Sequence, residues 1–239
     1  MTTPPSSPPS SPPSSPPTSR RILASGPPTR PETHARLASH APRTWQRMLS
    51  GRRLNLLDPS PFDVEITDVA LGLARNTRWN GQTSGDHAWS VAQHSVLVVE
   101  IVRRLLAPRR DTTLEMAALL HDASEYVTHD LITPLKAVVG DVFKEVEDRL
   151  MVAVHLRFGL PPRLDMERKA LVKRADLIAG ATEAVQLAGF ETREVRSVLG
   201  IKERPWPDLT LRPMPSRAAE NLFLETFEAI MARLALERR

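Results

Sequence analysis

Residues 118–136 read ALLHDASEYVTHDLITPLK, and the first half of this stretch decides the fold. Ala118, His121, Asp122 and Glu125 stand at i, i+3, i+4 and i+7, which is one stripe of a helix. Asp111-Thr112-Thr113 supplies N-cap chemistry just upstream, so the spacing predicts a helix over about 113–127. The stripe mixes an alanine with an imidazole and two carboxyls. A carboxylate turned toward a protein interior is costly unless it is paired or bound to a metal. The stretch closes with a predicted loop from Thr128 to Pro134.

Working outward, two more segments repeat the anomaly. A helix predicted over 87–106, capped by Ser84 or Asp86, carries Val91, His94, Val98, Ile101 and Leu105 on one face. A long helix predicted over 165–187 carries Val172, Asp176, Ala179 and Glu183 on another. Thr67-Asp68 reads as the start of a helix with Val69, Leu71 and Leu73, ending before Asn80-Gly81. Asp141 reads as the cap of a helix to Phe158, stopped by Gly159 and Pro161-Pro162. A short helix over 191–199 and an amphipathic one over 216–236 complete the series, and residues 44–62 are expected to wrap the surface. There is no alternating strand pattern, internal repeat or Gly-rich phosphate loop. The reading is an all-α helical bundle.

The N-terminus has a different composition. Residues 1–19 contain only Met, Thr, Pro and Ser, too little apolar surface to offset chain entropy. Residues 1–40 are therefore expected to be a disordered Pro/Ser/Arg-rich tail, and 41–239 the folded domain. The charge is equally uneven: residues 1–53 carry a net +7 and the remainder −3. The arm is basic but has Trp45 as its only ring, so a nucleic-acid partner is disfavoured. The chain has no cysteine, which excludes disulfides, thiolate metal sites and thiol catalysis. No run approaches the roughly 20 apolar residues that span a bilayer, and the N-terminus lacks the apolar core of a secretory signal. The expected location is cytoplasmic.

A lone histidine on an apolar face is usually a satisfied core residue. The His-Asp pair is also weak by itself, since His129-Asp130 repeats it. The conjunction is more specific: His94, His121-Asp122 and Asp176 come from three separate helices. Two imidazoles and two carboxylates suit one divalent ion and leave positions for water.

The order His, His-Asp, Asp resembles the HD-domain metal-dependent phosphohydrolase superfamily, in particular its 5′-deoxynucleotidase-like branch of bacterial and phage or prophage proteins. The matching segments are SGRRLNLLDP (50–59), ITDVALGLARNTRWNGQT (66–83), SVAQHSVLV (90–98), ALLHDASEYVTHDLITPLK (118–136) and KRADLIAGATEA (173–184). The resemblance implies an HD-domain bundle with metal ligation by His94, His121, Asp122 and Asp176. It further implies that Glu125 is an acid near the metal-bound water and Asp130 a functional acid after the metal helix. Thr133-Pro134 and Lys136 would form a loop close to substrate. His129 stands where the relatives often carry Gly and is left off the ligand set. Relatives tend to carry His where this chain has Leu71 and Gln82.

For the substrate phosphate, Arg78 is the leading cation and Lys136 the second. Trp79 is read equally as a base-stacking ring and as a core residue, His87 as a capping or supporting group. Glu183 is read as half of a structural ion pair with an arginine and left outside the site. The expected function is removal of phosphate from nucleoside or deoxynucleoside 5′-monophosphates by attack of metal-bound water. The cofactor would be one divalent ion (Mn, Co, Fe, Ni or Zn). The resemblance also suggests a homodimer. The competing readings are an HD hydrolase of another small phosphate ester (a triphosphate or cyclic dinucleotide), a non-catalytic nucleotide-binding HD module, and nucleic-acid binding through the arginine-rich arm.

Overall fold

A computed structural model of the protein describes residues 43–238, and the tail expected over 1–40 lies outside them. A two-stranded antiparallel hairpin comes first, β1 (Trp45–Arg47) against β2 (Arg53–Asn55), with Gln46 opposite Leu54. The helices follow: α1 (Ile66–Arg75), α2 (Val91–Leu106), α3 (Thr112–Leu119), α4 (Glu125–Thr128), α5 (Thr133–Val139), α6 (Asp141–Arg157), α7 (Met166–Gln186), α8 (Thr192–Ser197) and α9 (Ser216–Glu237).

The bundle is built around α2. Its stripe Val91, His94, Val98 and Ile101 is completely buried, and it packs against α1, α3, α7 and α9. The last helix, α9, lays Phe223, Phe227, Ile230 and Leu234 over α1, α2 and α3. The all-α architecture is thus the expected one. No helix among the described residues is long and apolar enough to cross a membrane.

Four local features depart from expectation, each for a physical reason. The hairpin at 45–55 has strands of three residues, too short for alternation to register in the sequence. The second helix starts at Val91, not near 87, because residues 76–78 and 89–91 run antiparallel: Arg78 N–H donates to the Trp89 carbonyl at 2.8 Å and Val91 N–H to that of Asn76 at 3.0 Å. Ser90 then caps it by accepting from Gln93 N–H at 3.2 Å. His87 consequently precedes the helix and is exposed. The first helix ends at Arg75, and Asp68 does not cap it. The Asp68 carboxylate accepts from the backbone N–H and hydroxyl of Ser50 instead. The loop expected from Thr128 to Pro134 gives way at its end to α5, which opens on Thr133 and Pro134, where proline's fixed φ suits a first turn.

Candidate metal centre

The helix expected over 113–127 is interrupted at its most important point. Regular helix stops at Leu119 and resumes at Glu125. Between them the backbone tightens into turns: Ala123 N–H bonds the Leu120 carbonyl, and Glu125 N–H that of Asp122, both at 3.0 Å. These i→i+3 bonds wind the backbone around His121 and Asp122 more tightly than an α-helix does. The His121 ring contributes, since its Nδ1–H donates to the Ala118 carbonyl at 2.8 Å.

Four donor atoms converge from three segments. His94 Nε2 lies 3.3 Å from His121 Nε2, 3.5 Å from Asp122 Oδ2 and 3.3 Å from Asp176 Oδ1. His121 Nε2 lies 3.2 Å from Asp122 Oδ2 and 3.9 Å from Asp176 Oδ1. Each imidazole has its other nitrogen engaged: His94 Nδ1 meets Glu183 Oε1 at 2.6 Å, and His121 Nδ1 the Ala118 carbonyl. With both Nδ1 atoms donating, the neutral rings present Nε2 lone pairs to each other and to two carboxylates.

Such a set repels itself unless a cation sits among it. Donors bound at about 2.1 Å to a shared ion lie about 3.0–3.4 Å apart in octahedral or tetrahedral geometry, close to most of the separations here. His94, His121 and Asp122 alone offer atoms within 4.8 Å of one another, a group that could hold a metal ion. The residues therefore fit a divalent cation. Lys173, on the same helix as Asp176, binds its Oδ2 at 2.7 Å and leaves Oδ1 toward the cluster.

Glu183 is the functional residue that sequence reading left out. It is fully buried and serves three partners: His94, the Arg78 guanidinium at 3.2 Å and the Trp79 indole N–H at 3.0 Å. Burial would raise its pKa, but the charge of Arg78 and the hydrogen bond from His94 bring it down to about 2. An ionised carboxylate behind a metal-facing imidazole fixes the ring's tautomer and raises its basicity. The ion pair with an arginine was expected. The grip on His94 was not, although Glu183 stands two turns beyond Asp176 on the same face.

The two expected acids adjoin this centre. Glu125 is 4% exposed; its Oε1 accepts from Lys136 Nζ at 3.2 Å, and its Oε2 is buried with no hydrogen-bond partner among the described residues. Burial, then the charges of Asp122 and Asp130, pushes its carboxyl up to about 8. Asp130 accepts from Arg78 Nη1 at 3.4 Å, and burial raises its pKa. Lys136 also reaches Glu147 on α6 at 3.6 Å, a partner the sequence did not suggest.

Trp79 has left-handed backbone (φ +57), an uncommon state for a bulky residue. That turn sends the indole N–H to Glu183 and the ring against Phe190, with centroids 5.8 Å apart. Thr133 is exposed at the head of α5, and its side chain makes no hydrogen bond among the described residues. His129 contributes no atom to the cluster. Its φ of +62 is one that glycine adopts most easily.

The family model described as 5′-deoxynucleotidase YfbR-like matches residues 71–194, a span that holds His94, His121, Asp122, Asp176 and Glu183. An uncharacterised protein of Rhodobacter capsulatus is 52% identical over 184 residues, covering 74% of this chain and 92% of its own length. The uncharacterised protein YfdR of Escherichia coli is 36% identical over 121 residues, 51% of this chain and 60% of its own. The chain belongs to the YfbR-like family of HD-domain proteins.

Proposed function

We propose that the protein is a metal-dependent phosphohydrolase that removes phosphate from nucleoside or deoxynucleoside 5′-monophosphates. The observation that carries this reading is the convergence of four metal-type donors, His94, His121, Asp122 and Asp176, beside a buried acid with an orphan oxygen. The ligand set accepts Mn, Fe, Co, Ni or Zn. A divalent ion held there supplies a water of lowered pKa and a Lewis acid for a phosphoryl oxygen.

The chain's own residues do the rest. Glu125 takes the proton of the attacking water at its free Oε2, and a proton affinity raised toward neutral pH suits that task. Lys136 holds the other oxygen and so fixes the orientation of the carboxyl. Asp130, made easier to protonate by burial, gives a proton to the leaving alkoxide. Arg78 and Lys136 supply positive charge for the substrate phosphate, and Thr133 offers a hydroxyl at the head of α5. Trp79 forms a wall on the nucleoside side.

Phosphate release from a panel of nucleotides with Mn²⁺, Co²⁺ and Mg²⁺ tests the reading. Turnover of 5′-monophosphates in preference to triphosphates and cyclic dinucleotides is expected. No turnover of any monophosphate with any of these ions would overturn it.

A further inference from the structure

A cavity of about 390 Å³ lies between the hairpin, α1 and α4, within the roughly 300–1,000 Å³ of small-molecule sites. None of the residues of the metal cluster lines it. Its rim carries Arg47 and Arg75, both exposed and neither in an ion pair among the described residues. One carboxylate lines the wall, that of Asp68, and it is engaged by the N–H and hydroxyl of Ser50. The cavity therefore presents unspent positive charge.

Its other surfaces are mainly apolar. Leu56, Leu71 and Val127 give an apolar wall. Tyr126, 6% exposed, also lines the cavity, and its hydroxyl is sealed from solvent.

We propose that this cavity is a second ligand site, for a small organic anion. Its charged group pairs with Arg47 and Arg75, and its body rests on Leu56, Leu71 and Val127. Two arginines serve a phosphate ester or a carboxylate alike. The site is independent of the reaction proposed above, so either can fail without the other.

The chain has a single tyrosine, so 3-fluorotyrosine labelling of the full-length protein gives one ¹⁹F resonance, placed in the cavity wall. The probes are phenylphosphonate and sodium benzoate, titrated into chelator-treated protein to remove phosphonate affinity for the metal centre. The resonance is expected to move saturably with at least one of them. A response to phenylphosphonate alone that weakens when Arg47 and Arg75 are removed assigns the phosphate class, and such a response to benzoate alone the carboxylate class. In an Arg47→Ala, Arg75→Ala double variant, whose changes are both at the surface, the midpoint should rise at least about tenfold. A resonance unmoved by both probes, or a double variant that titrates like the wild type, would overturn the proposal.

Discussion

At the scale of single residues, the groups proposed to act on substrate are distinct from the groups that hold the metal-type donors. Glu125→Gln keeps the shape of the side chain but removes the proton acceptor. It should bind metal as the wild type does and lose activity by about 10²–10⁴-fold, measured as kcat in a phosphate-release assay. In the wild type the rate should fall as pH drops, because protonating Glu125 removes the acceptor. The bound dication favours the carboxylate, so the limb should lie below the value of about 8 given by burial and by Asp122 and Asp130. Glu183→Gln should weaken metal affinity about 10–100-fold in a metal titration, with no direct part in the chemistry. Unchanged affinity would mean that the His94 contact is incidental. The four metal-type donors were legible in the sequence because each places a costly polar group on an apolar face. Glu183 was not, because an acid two turns from Asp176 reads equally well as an ordinary ion pair. Its three simultaneous partners come from α2 and from the turn after α1, a juxtaposition only the tertiary fold creates.

At the scale of elements, the break between α3 and α4 aims His121 and Asp122. Periodicity predicted one continuous helix there, since residues 118–125 fit the helical stripe whether or not the backbone tightens. The break shows in side chain–backbone chemistry, the His121–Ala118 bond, which composition does not encode. A second element-scale feature is the approach of α1 to α4. A Cβ on Gly72 would meet the Tyr126 Cβ and carbonyl oxygen at 2.7 Å, and neither atom can yield without moving the backbone. Gly72→Ala should therefore destabilise the protein by about 1–3 kcal/mol, read from denaturant midpoints. Because Asn76 Nδ2 donates to the Glu125 carbonyl at 3.2 Å, the same substitution should also lower kcat. A variant with wild-type stability would show that the two helices are not packed so closely. The hairpin, α5 and the start of α2 escaped the sequence reading for a common reason: all three are short or are set by pairing between distant segments, where local propensity has little to say.

At the scale of the whole molecule, three segments far apart in the chain meet around one point in a helical bundle. The bundle itself was legible from the long amphipathic helices, and its centre from the polar groups interrupting them. What the meeting point holds is the central claim: His94, His121, Asp122 and Asp176 share a single divalent ion. A metal bound only by the folded state adds stability by mass action, about 2.7 kcal/mol at a hundredfold excess over Kd, so chelation should lower Tm and added Mn²⁺ or Co²⁺ restore it. The most direct measurement is elemental analysis of purified wild-type protein beside Asp122→Ala and Asp176→Asn. The expected result is one transition-metal ion per chain in the wild type and loss of that ion in both variants, with helical content preserved. Equal metal content in all three proteins, or none in the wild type after loading, would contradict the account.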